Sequence, residues 1–175
     1  MSKDQIVKRS GKVAFMMIED TCHRMRGFTE LSKSRNAKEY SRQYVDEESE
    51  RTDVIGYSES VSFKMDYIKD NAVHEHIISI FDEEKLGADA VVSIVTVDFS
   101  QGTLDGGTYP AYKREYAVVP STEGDSTDAY TYSGDFKANG KRTAGVATGS
   151  GEWLECTFAE GEEVSTTSTE GEQTS

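Results

Sequence analysis

Three histidines and two cysteines are the side chains with the most direct potential for metal or catalytic chemistry. His74 and His76 flank Glu75, and His23 follows Cys22, so zinc is the metal that these residue types would suit. Residues two positions apart on a helix diverge by roughly 200°, whereas helical zinc pairs are spaced by four residues. The spacing therefore disfavours a metal site, and we expect no cofactor and no enzymatic activity.

Two other patterns resemble ligand-binding loops only in part. The stretch GDFKANGKR has five residues between its glycines instead of four, and Arg142 stands where a phosphate-binding loop needs Ser or Thr. The acidic runs DEESERTD and FDEEK lack the alternating oxygen ligands and the glycine of a calcium loop. We interpret these runs as solvated polar faces.

Tyrosines offer a different kind of chemistry, the stacking of ligands on exposed aromatic rings. Tyr112, Tyr116, Tyr130 and Tyr132 lie on predicted strands, so one alternative function is a monomeric β-sandwich that binds glycan or cell-wall ligands. Packing in a core or an interface is the commoner use of such residues.

The elements that would position these side chains are mostly strands. The clearest strand alternates between a polar face and an apolar face, the latter formed by Tyr57, Val61, Phe63, Met65 and Tyr67. The stretch AVHEHIISIFDEEK has the apolar periodicity of a helix, with Asn71 as its N-cap. The β-branched stretch AVVSIVTVDF then predicts a buried strand.

Asn139 and Gly140 indicate a hairpin in the stretch from Tyr130 to Gly149. A three-residue loop, with Gly140 left-handed, places Tyr132 opposite Val146 and keeps the apolar residues on one face. A two-residue Asn-Gly turn would place Val146 on the polar face, so we favour the longer loop.

Two polar segments fall outside this pattern. Residues 31–53 are too polar for a core and predict a long loop, although alternation in EYSRQYV also allows an edge strand or an arm that pairs elsewhere. After Ala159 the chain has five Glu and no basic residue, which predicts a disordered acidic tail over residues 161–175.

Composition and charge restrict the function further. A chain of 175 residues with 35% apolar residues suits one domain with a small core and much exposed surface. The net charge of −13 argues against ordinary nucleic-acid binding. The first 44 residues carry 10 Lys and Arg against 5 Asp and Glu, while residues 45–175 carry 9 against 27. Such asymmetry favours head-to-tail association of copies, with basic surface meeting acidic surface.

The sequence also bears on the compartment. No run approaches the roughly 18 apolar residues of a membrane span, and MSKDQIVKRSGKVAF lacks the apolar segment of a signal peptide. We therefore expect a protein made in the cytosol without a membrane-spanning segment. Cys22 and Cys156 are expected to be free thiols, with one disulfide as the alternative.

Several longer stretches carry a resemblance to a known family. KEYSRQYVDEESERTDVIGYSESVSFKMDY, AVHEHIISIFDEEKLG, AVVSIVTVDF and DAYTYSGDFKANGKRTAGVATGSG, in this order, resemble the major tail tube proteins of tailed bacteriophages. The resemblance spans roughly Lys12 to Glu160. It lies in these sequence stretches and in the order of the elements, and the stretches contain no catalytic fingerprint.

The resemblance implies a mainly β fold, a two-sheet β-sandwich flanked by one α-helix with a long polar loop and extended arms. It implies one domain over residues 1–160, with an N-terminal arm at 1–11. Such subunits form stacked, hexameric rings around a hollow tube, assembled in the host cytoplasm into the virion tail, through which the genome passes into the host cell. The implied partners are further copies of the chain and other tail proteins (tape-measure, tail-terminator and distal tail proteins), with DNA only as transient cargo.

Particular residues follow from this expectation. The contact candidates between rings lie in the segment 31–53: Lys38, Tyr40, Arg42, Tyr44, Asp46 and Glu47. Asp66 and Asp98, on the polar faces of the two strongest predicted strands, are the candidates for acidic residues that face the lumen. Negative charge there would keep the DNA backbone from adhering.

Overall fold

The computed structural model describes residue 6 and residues 8–101 and 108–161. The described part is mainly β, as predicted, with nine strands and one α-helix. The strands are β1 (Lys12–Ile18), β2 (Thr21–Arg24), β3 (Phe28–Arg42), β4 (Arg51–Asp66), β5 (Val91–Asp98), β6 (Thr108–Glu123), β7 (Thr131–Ala138), β8 (Thr143–Gly149) and β9 (Glu155–Glu160). The helix α1 is Ala72–Asp82, and short 3₁₀ turns lie at Arg9–Gly11, Gly87–Ala90 and Phe99–Gln101.

All nine strands belong to one antiparallel sheet in the order β3-β4-β7-β6-β5-β1-β2-β9-β8. The strand β6 makes a further pairing with β8, so six strands close into a small barrel while β7, β4 and β3 extend the sheet beyond it. The strands expected in two separate sheets of a sandwich are thus connected through β6. This strand has 16 residues and pairs with β8 along its first half and with β7 along its second half.

The apolar residues form two cores on opposite faces of this sheet. Consecutive residues of a strand point to opposite faces, and β1 shows this because Phe15 packs inside the barrel while Met16 packs on the outer face. The barrel core also contains Cys22, Val95, Val97, Ala111, Ala147 and Cys156. The larger outer core is covered by α1 through Val73, Ile77 and Ile80.

Helix α1 confirms the prediction made from its periodicity. The Asn71 side chain accepts hydrogen bonds from the backbone N–H groups of Val73 and His74, which satisfies two donors at the first turn. The buried face of the helix then lies on the sheet, where the aromatic rings of Phe63, Phe81 and Phe136 complete the packing.

His74 is fully buried and has a structural role at this helix. The backbone N–H of Ile68 donates to its Nδ1 at 3.0 Å, so the proton resides on Nε2, which donates to the carbonyl of Arg26 at 2.6 Å. Among the described residues, no group of three or more His, Cys, Asp or Glu side chains is arranged to hold a metal ion. His74 therefore fixes the loop before α1 to the end of β2.

Burial lowers the pKa of His74, and the same cause, followed by the charge of Lys85, lowers the pKa of His76. The unfolded chain then binds more protons near pH 6 than the folded chain does. The contribution of the two neutral histidines to the free energy of unfolding is therefore complete above about pH 6.5 and is lost as the pH falls below it. We expect the slope of unfolding free energy against pH, measured by urea denaturation between about pH 7.5 and 5.5, to decrease in His74→Gln and further in the double variant with His76→Gln. An unchanged slope in the double variant would contradict this assignment.

The predicted hairpin around Asn139 and Gly140 is wrong in its pairing. Strands β7 and β8 are not register partners of each other, and Tyr132 lies opposite Met65 of β4 rather than opposite Val146. Gly140 does have a positive φ of 135°. The local hairpin is replaced because the long strand β6 offers each of the two strands a partner.

The predicted long loop over 31–53 is also wrong. The strands β3 and β4 pair continuously up to Arg42 and Arg51, so the irregular connection covers only residues 43–50. Most side chains on both faces of this hairpin are exposed, and without a buried face the alternation that identifies a strand is weak. The edge strand considered as one alternative describes the structure, because β3 lies at the end of the strand order and pairs with β4.

Three further expectations concern the ends of the chain and the cysteines. The N-terminal arm 1–11 lies partly, and the acidic tail 161–175 almost entirely, outside the described residues. Cys22 and Cys156 are free thiols that face each other across β2 and β9 inside the barrel. No helix in the described part of the chain combines the length and apolar character needed to cross a membrane.

Candidate assembly surfaces

A two-stranded ribbon projects from the body of the protein, and we call residues 35–59 the hairpin arm. Strand β4 pairs with β7 only from Ser60 to Asp66, so within the described residues no third strand supports the arm. Eight residues separate Arg35 from Gln43, where the turn begins. At roughly 3.3 Å per residue in a strand, the arm extends by about 26 Å.

The arm exposes an unusual amount of apolar surface for such a thin element. Val54 and Ile55 are more than half exposed, and Tyr57 is 66% exposed. Tyr40, Tyr44 and Val45 add further exposed apolar area toward the turn. A lone two-stranded hairpin is marginally stable in water, so this surface is typical of an element that packs against a partner.

Arg42 organises the outer part of the arm. Its Nε donates to the Tyr44 hydroxyl at 2.7 Å, and its Nη1 donates to Asp53 Oδ2 at 2.5 Å. The guanidinium also lies 5.4 Å from the ring centroid of Tyr40 and 5.5 Å from that of Tyr44. The hydrogen bond to Asp53, followed by that to Tyr44, raises the pKa of Arg42. These contacts hold the two strands together where no core supports them.

The six contact candidates predicted from the sequence all lie on the arm. The structure brings Tyr40, Arg42 and Tyr44 into the cluster just described, and it pairs Glu47 with Arg51 Nη2 at 2.6 Å. In the described part of the chain, Lys38 and Asp46 form no ion pair, and both are exposed. Contact between rings through these residues stays a prediction.

At the base of the arm, Glu59 is a buried carboxylate that the sequence reasoning passed over. Its Oε2 lies 2.5 Å from Arg114 Nη1, its Oε1 lies 3.1 Å from Lys33 Nζ, and Arg35 Nε lies 4.0 Å away. Burial alone would raise the pKa of Glu59, but Lys33 and then Arg114 outweigh it, and the pKa is lowered. Burial, followed by the Glu59 charge, raises the pKa of neighbouring Tyr116 to about 12. The sequence signal that could have identified this site is a Glu on the otherwise apolar face of a predicted strand.

Beside Glu59 the outer face of the sheet opens into a cavity of about 470 Å³, which we call the cation groove. Val61, Ile94 and Ala14 contribute apolar floor. Its polar lining contains two carboxylates, Glu59 and Asp98, and six cationic side chains, namely Arg9, Lys12, Lys33, Arg35, Arg114 and Arg142. The Arg142 guanidinium stacks 3.5 Å above the centroid of the Tyr112 ring.

The two lumen candidates have different environments. Asp98 is buried at the end of β5, where its Oδ1 accepts from the backbone and side chain of Ser100 and its Oδ2 accepts from Gln101 at 3.2 Å. The hydrogen bond from the Ser100 side chain is the main cause that lowers the pKa of Asp98. Asp66 is half-buried at the end of β4. Their orientation toward a lumen stays a prediction.

The four tyrosines proposed as a ligand platform do not form one exposed surface. Tyr116 and Tyr132 are buried in the outer core, with 3% and 6% exposure. Tyr112 is stacked under Arg142, which leaves Tyr130 as the most exposed of the four. These four tyrosines therefore do not form a row of free rings on which sugars would stack.

Comparison with known proteins shows which solved structures share this fold. No protein-family model and no curated protein matches the sequence. A chain of the 6-fold symmetrised anti-feeding prophage (AFP) baseplate is similar in structure, with a TM-score of 0.54 and 10% identity over 82% of this chain and 97% of that chain. A chain of the native gene transfer agent (GTA) virion gives 0.57 and 13% over 79% and 98%. A chain of the empty GTA tail with C6 symmetry gives 0.57 and 12% over 79% and 98%.

At these low identities the likeness establishes the fold. The described chain has the fold of subunits that occur in phage-like tail and baseplate assemblies. In each comparison nearly the whole of the other chain is covered, so the shared region is a complete subunit of that assembly.

Proposed function

We propose that this protein is the structural subunit of a phage tail tube, which assembles into stacked, hexameric rings around a hollow channel. The support from comparison is the shared fold with chains of tail-like particles, two of which are described with six-fold symmetry. The support from the chain itself is the hairpin arm, a two-stranded ribbon with exposed apolar side chains.

The hairpin arm is the observation that carries this proposal. It extends about 26 Å beyond the third strand, and both of its faces are exposed. An element of this kind adds its strands or its apolar side chains to a neighbour. A contact between the arm of one copy and a different surface of the next copy is heterologous, and heterologous contacts that do not close produce filaments.

The charge of the chain fits a channel for DNA. A net charge of −13 gives a surface that repels phosphate, so DNA would pass as cargo without adhering. We propose Asp66 as the acidic residue that faces this channel, because the other candidate, Asp98, lies buried in the cation groove with Lys12 Nζ at 4.0 Å. The passage delivers the genome from the particle into the host cell.

The remaining partners follow from the same proposal. The subunit would be synthesised and assembled in the host cytoplasm and reside in the virion tail. Its neighbours there would be further copies of the chain, a tape-measure protein inside the tube, and tail-terminator and distal tail proteins at its two ends.

Self-assembly is the experimental test of this function. As concentration rises, sedimentation velocity is expected to show conversion of monomers into large species without intermediate sizes. Trypsin should cut the arm after Lys38, Arg42 or Arg51 in monomers, and these sites should be protected in the assemblies because neighbours cover the arm. A protein that stays monomeric at all concentrations and salt conditions, or an arm cut equally fast in both states, would contradict the proposal.

A further inference from the structure

The cation groove concentrates positive charge in a strongly acidic protein. Six Lys and Arg side chains line it with only two carboxylates, although the whole chain has a net charge of −13. Like charges held at one site repel each other, and an anionic partner would remove this cost. The volume of about 470 Å³ also lies within the roughly 300–1,000 Å³ typical of binding pockets.

The two carboxylates of the groove are already occupied. Glu59 is shared by the three cations at the base of the arm, and Asp98 accepts from Ser100 and Gln101, with Lys12 Nζ at 4.0 Å. Arg9 and Arg142 form no ion pair with a carboxylate in the described part of the chain, and Arg9 donates only to backbone carbonyl groups. These two guanidinium groups are therefore available to an incoming anion.

The turn of the hairpin arm has the complementary composition, and we call residues 43–50 the acidic tip. It contains four carboxylates and no Lys or Arg. Glu47 is paired with Arg51, whereas Asp46, Glu48 and Glu50 are exposed and form no ion pair among the described residues. The groove thus has a surplus of positive charge, and the tip has three carboxylates without an ion pair to meet it.

Within one chain these two sites cannot meet. The arm begins at Arg35 and Glu59, which are themselves in the wall of the groove, and it carries the tip about 26 Å away from that wall. Continuous pairing of β3 with β4 along this length keeps the ribbon extended, with one bulge next to Lys38. Any contact between tip and groove must therefore join two copies.

We propose that the cation groove of one copy binds the acidic tip of the hairpin arm of a second copy. This inference rests on the proposed self-assembly and names the surface that receives the arm. Arg9 and Arg142 bind the carboxylates of Asp46 and Glu48 across the interface, and buried Glu59 fixes the neighbouring cations in place. Each chain provides one tip and one groove, so the contact repeats along a filament.

Exchange of charges between the two sites tests this pairing. The groove variant is Arg9→Glu with Arg142→Glu, and the tip variant is Asp46→Lys with Glu48→Lys. Among the described residues, none of these four forms an ion pair with Glu59, and thermal unfolding would check that each variant folds. The matched control, Asp89→Lys with Asp128→Lys, changes two exposed carboxylates away from the arm and alters the net charge as the tip variant does.

Each two-residue variant is expected to raise the concentration needed for assembly by about tenfold or more, because like charges then face each other. The variant with all four changes should assemble near the wild-type concentration, and the control should assemble like the wild type. The pairing of tip and groove would be overturned if the four-residue variant did not recover assembly, or if the control lost assembly as strongly as the two-residue variants. In either case, assembly of the wild type would still support the proposed tube. Wild-type protein that never assembles would instead overturn the proposed function.

Nucleic acid is the other polyanion that could enter the groove. Fluorescence anisotropy with a labelled single-stranded oligonucleotide separates this case from the pairing of copies. Binding that disappears in the groove variant, while that variant assembles at the wild-type concentration, would overturn the inference and assign the groove to nucleic acid. Absence of oligonucleotide binding together with loss of assembly would support it.

Discussion

Replacement of residues 37–57 by the dipeptide Asn-Gly is expected to abolish self-assembly and to leave the body of the protein folded. Asn36 and Ser58 are register partners, so a two-residue turn can join them without a change in the pairing below. The removed segment contributes no residue to either core. Sedimentation velocity should then show monomers at every concentration at which the wild type assembles.

A milder variant separates loss of contact from loss of the ribbon. Ile55→Ser with Tyr57→Ser keeps the length and charge of the arm but removes two of its exposed apolar side chains. We expect this variant to assemble at an intermediate concentration and to unfold at nearly the wild-type temperature. If the shortened protein assembled like the wild type, the arm would have no part in the interface.

Phe63→Ala is expected to cause the largest loss of stability among single substitutions. Phe63 is 2% exposed on β4, its ring is stacked on Phe136 with centroids 4.3 Å apart, and it makes edge contacts with Phe28 and Phe81. Truncation of a buried Phe to Ala costs about 3–5 kcal/mol because a cavity remains. Urea denaturation should show this loss, and Tm should fall by roughly 8–16 °C.

Two variants on the same strand provide the comparison. Phe63→Leu retains most of the buried volume and should cost less than about 1.5 kcal/mol. Tyr57→Ala has the same parity on β4 but lies on the arm with 66% exposure, so its effect should stay within about 0.5 kcal/mol. Equal losses for Phe63→Ala and Tyr57→Ala would contradict the boundary that separates the core from the arm.

Local signals in the sequence were sufficient for the elements with one buried face. The periodicity from Val73 to Phe81 and the cap at Asn71 predicted α1, and alternation from Val61 to Met65 predicted the inner half of β4. In both cases the side chains report directly on which face meets the core.

Pairing between distant strands could not be predicted in the same way. The turn signal at Gly140 is real in its positive φ, but the partners of the flanking strands are set by the length of β6. Alternation along the arm is weak and limited to the stretch EYSRQYV, because neither face of the arm is buried in a single copy. Its exposed polarity suggested a loop, and only the pairing of β3 with β4 shows a ribbon.

The residues of the hairpin arm were predictable from the sequence, whereas the cation groove was not. The contact candidates were chosen in a polar segment, and the structure places all six on the arm. The groove was missed because its cations come from the turn at Arg9–Gly11, from strands β1, β3 and β6, and from the segment before β8, which are far apart in sequence. Glu59 was the one local signal, a charged residue in line with Val61 and Phe63.

Electron microscopy of the purified full chain tests the central claim most directly. Concentrated protein should form hollow tubes of uniform diameter, and helical reconstruction should show six subunits per ring with the arm of each subunit resting on a subunit of the adjacent ring. Fields that contain only separate particles, or tubes in which the arm contacts no neighbour, would contradict the account.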